Sequence, residues 1–232
     1  MDREGEAPTM IETNSLPRWD RVLAVVAHPD DESFGLGAVL SGFTAAGADV
    51  DVLCLTRGEA STLHGVEGEL SRLRELELRA AADALGARGV TLRDLPDGGL
   101  AGLDPAVLDD EVEHAMEQTR PDGLVVFDST GISGHPDHVA ATAAAVRVAE
   151  RHEVPVLAWT LSDDICGTLS GEGHAGFLGR PDEEIDLALT VDRTAQRVAV
   201  ECHPSQAVPG SVLWRRLELQ GHTEHLRWLR RP

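Results

Sequence analysis

Val22-Leu23-Ala24-Val25-Val26-Ala27-His28-Pro29-Asp30-Asp31-Glu32 is an apolar run that stops abruptly at one imidazole and three carboxyl groups. A short Val-rich run of this kind predicts a strand buried on both faces of a parallel sheet. The charged cluster then stands where the strand ends. Like charges so crowded are costly unless a cation shares the space. The stretch therefore predicts a metal site on the carboxyl edge of the sheet; the plain alternative is a solvated acidic turn that caps the next helix.

Working outward, strand and helix patterns alternate. Gly35 to Ala46 reads as a helix, Asp49 to Leu55 as a second strand, and Thr56 to Glu69 as a loop. Leu70 to Leu85 carries Leu73, Leu76, Ala80 and Ala84 at helical spacing. Val90 to Leu95 is a third strand. Asp104-Pro105 caps a helix that runs to about Thr119. Gly123 to Phe127 is a fourth strand, Ser129 to Gly134 a loop, and Asp137 to Arg151 an alanine-dense helix. Val154 to Thr160 is a fifth strand. Cys166 to Pro181, rich in glycine and without periodicity, reads as a mobile loop. A late strand over Ile185 to Val191, a short helix over Thr194 to Glu201 and an amphipathic helix over Leu213 to Leu229 complete the chain.

This alternation predicts an α/β fold: a Rossmann-like, doubly wound, mainly parallel sheet with helices on both faces. Residues 1–19 are expected to form a flexible leader and residues 20–232 a single domain. In a strand order 3-2-1-4, strands one and four are neighbours, and ligands bind at the carboxyl ends of such a switch point. Chemical groups should then follow those two strands. They do: strand four leads through Asp128-Ser129-Thr130-Gly131-Ile132-Ser133-Gly134 into His135-Pro136-Asp137-His138.

His28 and His138 would thus face each other across the crevice. Imidazole and carboxylate without thiolate suit zinc and tolerate other divalent ions, and a catalytic site keeps open positions. Asp30 and Asp31 are consecutive, so their side chains diverge: one can bind metal while the other handles protons. His135 and His138 lie three apart near a helix start: one can ligate while the other faces a substrate. Backbone N–H groups there favour an anionic intermediate.

Composition narrows the partners. The formal net charge is -20 over 232 residues. Nucleic acid and anionic membrane surfaces repel such a chain, so neither is expected as a partner. Every basic residue is Arg, and Lys and Tyr are absent. P-loop, Schiff-base and Tyr/Lys dehydrogenase chemistries are thereby excluded. Cys54, Cys166 and Cys202 are far apart, which argues for a reducing compartment and against a thiolate metal site. No run approaches the ~20 apolar residues of a membrane span, and the polar N-terminus lacks a signal-peptide layout. A cytoplasmic location is expected.

The chain resembles the PIG-L/LmbE-like family of metal-dependent N-deacetylases. The residues that carry the likeness are AHPDDE (27–32), TRGEAS (56–61), LRELEL (73–78), PDGGL (96–100), DSTGISGHPDH (128–138) and CHPSQ (202–206). The resemblance implies Zn2+ held by His28, Asp31 and His138, with Asp30 as general base. It implies His135 as oxyanion stabiliser, with Asp137 orienting it, and a small N-acyl amino sugar as substrate. Arg197 stands in a region where the family often carries Lys.

Candidate substrate contacts are Arg74, for a sugar hydroxyl or phosphate; Asp97, on a turn after strand three; Asp128, at the end of strand four; and His203, lining the pocket. Each has a bland counterpart: a helix charge near Glu77, a turn residue, a strand-end residue, a helix closure. Arg57 and Glu59 are placed on a rim loop, and residues 166–181 with His174 as a lid. The expected reaction is hydrolysis of the acetamide of an N-acetylglucosamine conjugate. Alternatives are an amidase for thiol-conjugate or natural-product amides, another metal hydrolase at the same switch point, or a non-catalytic sugar- or metal-binding module. A dinucleotide site is disfavoured, because Leu40 stands where GxGxxG needs its third glycine. The last helix offers a face for a possible homo-oligomer.

Overall fold

The first strand alternates between two hydrophobic cores. In β1 (Arg21–Val26), Val22, Ala24 and Val26 pack into one cluster, and Leu23 and Val25 into the other, joined by Ala27. Both faces are dry, so the strand reads as a continuous apolar run. The computed structural model describes residues 15–61 and 69–232. Residues 1–14 of the expected leader, and His64 in the expected loop, lie outside the described residues. Leu16 and Trp19, assigned to the leader by sequence, instead pack on the core, Trp19 stacking on Phe43 with ring centroids 5.5 Å apart.

β2 (Asp49–Thr56), β3 (Gly89–Leu95), β4 (Gly123–Phe127) and β5 (Val156–Thr160) join β1 in parallel. The sheet order is β3-β2-β1-β4-β5, continued by two further strands. The expected 3-2-1-4 order is observed, and β1 and β4 pair directly, Val22 opposite Gly123.

α1 (Asp31–Phe34) and α2 (Gly37–Ala45) follow β1, and α3 (Glu69–Ala84) precedes β3. α4 (Pro105–Thr119) begins as expected, its Asp104 side chain accepting from the Ala106 N–H. α5 (Gly131–Gly134) is a single turn within the expected loop, and it holds Ile132 at φ 65. α6 (Pro136–His152) buries Ala141, Ala144, Ala145 and Ala149. Those small side chains let α6 lie close to the sheet beside α4.

α3 does not bury the stripe of Leu73 and Leu76, which are 45% and 59% exposed. It buries Leu70, Leu78 and Ala81 together with Arg74 and Glu77, because those two charges have internal partners. The expected mobile loop contains α7 (Asp163–Gly171), which buries Cys166 and Leu169; scattered glycines hid that short anchor. The late strand is β6 (Leu187–Thr190), followed by α8 (Thr194–Glu201).

The expected long C-terminal helix is α9 (Val212–Gln220) plus β7 (Thr223–Arg230). Gly221 at φ 52 ends the helix, and β7 pairs antiparallel with both β5 and β6. An open edge on β5 outweighs the helical propensity of that segment. Among the described residues, no helix is long and apolar enough to cross a membrane.

Candidate metal centre

β1 and β4 end side by side and deliver their polar groups to one crevice. His28 Nδ1 lies 3.2 Å from His138 Nε2 and 3.6 Å from an Asp31 carboxylate oxygen. His138 Nε2 is 3.2 Å from the other Asp31 oxygen. A tetrahedral ion with bonds of 2.0–2.1 Å spaces its ligand atoms about 3.4 Å apart. These three side chains therefore fit a divalent metal.

The remaining faces of both rings are held. His138 Nδ1 lies 3.1 Å from the Gly131 carbonyl, so that nitrogen donates and Nε2 turns its lone pair inward. His28 Nε2 faces Asp97 at 3.1 Å and Asp137 at 3.4 Å. Asp137 is fully buried and also accepts from the N–H groups of Gly98, at 2.7 Å, and Leu100, at 3.0 Å. Asp31 accepts from the His28 N–H at 2.9 Å.

The electrostatics favour a bound cation. Burial works against the His28 imidazolium, but the carboxylates of Asp137, Asp31 and Asp97 outweigh it and push its pKa up to about 12. Burial raises Asp31, yet His138 and His28 hold its carboxyl well below the usual range. A field that retains a proton so firmly also attracts a metal, which takes the proton's place on binding. The ring of His135 packs on the rings of both His28 and His138, 4.8 Å from each by centroid, with a pKa lowered by burial and then by His138 and His28.

Asp30 stands beside this trio in a strained backbone conformation, φ 147. Its Oδ2 lies 3.0 Å from the Arg74 guanidinium. The same Arg74 donates to the carbonyls of Pro29 and Gly58, each at 2.7 Å. Gly58, at φ +67, has no room for a side chain: a Cβ there would lie 2.0 Å from Arg74 Nη1. Burial pushes the Asp30 carboxyl up to about 6 against the pull of Arg74.

Sequence reasoning placed several residues at the substrate that stand elsewhere. Arg74 is 3% exposed and directs both its Nη groups at Asp30 and the backbone. Asp97 abuts His28 and accepts from the Ala60 N–H, so it supports a ring rather than a sugar. Asp128 is fully buried between Arg180, at 2.8 Å, and Arg227, at 3.3 Å. His203 is fully buried and lies 2.7 Å from Glu32, whose other oxygen accepts from the Asp30 N–H. It steadies the Asp30 backbone and does not line a pocket. The Asp137 carboxylate addresses His28, not His135; only its backbone N–H meets His135, donating to Nδ1 at 3.3 Å. Arg57 pairs with Glu75 and Asp94, and Glu59 accepts from the Asp97 N–H. Glu32 and Glu77, the latter holding the Ser205 N–H at 3.0 Å, were missed. Their only signal was acidic residues at positions that bury.

The sequence profile of the PIG-L family, described as GlcNAc-PI de-N-acetylase, matches residues 23–149. A 1D-myo-inositol 2-acetamido-2-deoxy-alpha-D-glucopyranoside deacetylase from Salinispora arenicola is 32% identical, the alignment covering 88% of this chain and 82% of that protein. One of the same description from Kineococcus radiotolerans is 33% identical over 59% of this chain and 47% of its own length. Among solved structures, the zinc inhibited form of teicoplanin deacetylase Orf2 superposes with a TM-score of 0.68 at 22% identity, covering 91% of this chain and 98% of that one. The N,N'-diacetylchitobiose deacetylase from Pyrococcus horikoshii gives 0.65 at 20%, over 91% and 84%.

Proposed function

The chain belongs to the PIG-L family of GlcNAc-PI de-N-acetylases, and from that premise we propose a zinc-dependent hydrolase whose substrate is an N-acetylglucosaminyl-inositol. The broad activity, removal of the N-acetyl group from an N-acetylglucosamine conjugate, follows from that membership. The inositol rests on the activity by which the Salinispora relative is described. The observation that carries the metal reading is the convergence of His28 Nδ1, His138 Nε2 and Asp31 within 3.2–3.6 Å of one another.

His28, Asp31 and His138 would hold the ion. Zinc bound there supplies Lewis acidity and an acidified water. Asp30 accepts the attacking water's proton at Oδ1, the oxygen that Arg74 leaves uncommitted. That oxygen can then return the proton to the departing amine, so one carboxyl serves both transfers. His135, flanking the two metal-facing rings, steadies the developing oxyanion. Asp137 and Asp97 keep His28 Nε2 protonated and the ring aimed, and Arg74 holds Asp30 in place.

The test is amine release from N-acetylglucosaminyl-inositol and from free N-acetylglucosamine. His135→Ala should lower kcat by on the order of 10²–10³ while leaving the metal bound. A turnover within a few-fold of the parent would remove His135 from the reaction. Equal kcat/KM on the two sugars would remove inositol from the proposal.

A further inference from the structure

Beside the metal centre lies a second space with different chemistry. A cavity of about 180 Å³ shares Asp31 and His138 with the centre, and most of its remaining wall is apolar, with Phe34, Phe127, Trp159, Phe177 and Leu213 in it and Ser133 as a polar exception. Apart from the shared Asp31 and His138, the one charged group in its lining is the guanidinium of Arg216 on α9. Arg216 is only 6% exposed. Its Nη2 donates to the Phe34 carbonyl, and its Cζ stands 5.0 Å from the centroid of the Trp159 ring. Among the described residues, no carboxylate oxygen comes within 4.0 Å of it. The nearby Glu224 is already taken by Arg193, Trp159 and Gln220.

A buried cation without an anion is costly, and a guanidinium has five donors to satisfy. Such a group in a cavity wall selects an anionic ligand. The surrounding wall suits a sugar poorly, because a hexosamine needs hydrogen-bond partners for its hydroxyls and, beyond Ser133, Arg216 and the two shared groups, this wall is aromatic and aliphatic. The acyl half of the amide is the part with apolar character, and the cavity opens on the centre that would cleave it. A methyl group leaves most of the space empty, since about 150 Å³ already accommodates a benzene ring.

We infer that this cavity is an acyl pocket for short dicarboxylic acyl groups, four or five carbons long, whose distal carboxylate pairs with Arg216. The inference rests on the amide-hydrolysing reading of the adjacent centre and extends its acyl range beyond acetyl. In the reaction, water oxygen adds to the acyl carbon and the C–N bond breaks. The amine leaves with a proton, and the dicarboxylate is the second product. No oxidant or further reactant enters.

The test compares glucosamine N-acylated with glutaryl and with pentanoyl groups, which match in length and differ in the terminal charge. The zinc-loaded protein should give a kcat/KM about ten- to a hundredfold higher for glutaryl, as a charge-assisted hydrogen bond is worth. In Arg216→Met that ratio should fall to near one, and Arg216→Lys should restore part of it. Equal rates on the two substrates in the parent protein overturn the inference without any variant. Calorimetric titration with glutarate and with pentanoate supplies a readout apart from turnover. Glutarate should bind at least tenfold tighter to the parent protein, and equal affinities again overturn the pocket. If no N-acyl glucosamine, acetyl included, releases amine, the hydrolase reading falls, while the titration still decides what Arg216 binds.

Discussion

At the scale of single residues, the division of labour between Asp30 and Asp31 is the point of most consequence. The two are adjacent, yet Asp31 faces His28 and His138 whereas Asp30 faces Arg74. Asp30→Asn keeps the shape and removes the carboxylate proposed to accept the proton. It should lower kcat by on the order of 10²–10⁴ with metal content unchanged; joint loss of metal would make Asp30 a ligand instead. Arg74 acts through Asp30. Arg74→Met strands a buried carboxylate and should cost about 3 kcal/mol in denaturant unfolding. Because Arg74 pulls the Asp30 carboxyl down against burial, its removal lets that pKa rise. The acid limb of the kcat/KM profile should therefore move to higher pH. An unmoved limb would reduce Arg74 to a packing role.

At the scale of elements, the loop after β4 and the terminal strand β7 are tied together through Asp128. Burial raises that carboxyl, but Arg180 and the Thr130 N–H outweigh it and hold it below the ordinary value. A carboxyl depressed in the folded state contributes stability that is present above its unfolded pKa of about 3.9. That contribution is lost as pH falls through the folded pKa. Asp128→Asn should therefore lower the melting temperature at neutral pH and flatten its decline on acidification. A parallel decline in parent and variant would show that the Arg180 pairing is not linked to folding. The same tie explains why α9 and β7 are two elements. A strand that fills the free edge of β5 also brings Arg227 to Asp128, 3.3 Å away. The local pattern of Leu, Trp and Arg carries no sign of either partner.

At the scale of the whole molecule, the parallel order and its switch point were legible because β1 and β4 are dry runs, the first followed within two residues by a histidine motif and the second leading to another through the loop after it. The meeting of His28, Asp31 and His138 in one crevice was legible for the same reason. The supporting shell was not. Arg74, Glu77, Asp128 and His203 are charged residues in polar stretches, and only distant partners bury them. Asp97 was placed on the right sheet edge but given a sugar instead of the His28 ring it touches. Such errors have one direction: a local reading assigns a polar side chain to solvent or substrate when it belongs to another polar side chain. The switch-point centre is the feature on which the fold converges, with the turn after β1, α1, the turn after β3 and α6 each contributing a group.

The most direct measurement of the whole account is amine release from N-acetylglucosaminyl-inositol by the intact protein before and after chelation, with metal content measured in the same samples. Activity should fall in proportion to the metal removed and return on addition of about one equivalent of zinc per chain. Full activity in protein stripped of metal would contradict the zinc-dependent hydrolase.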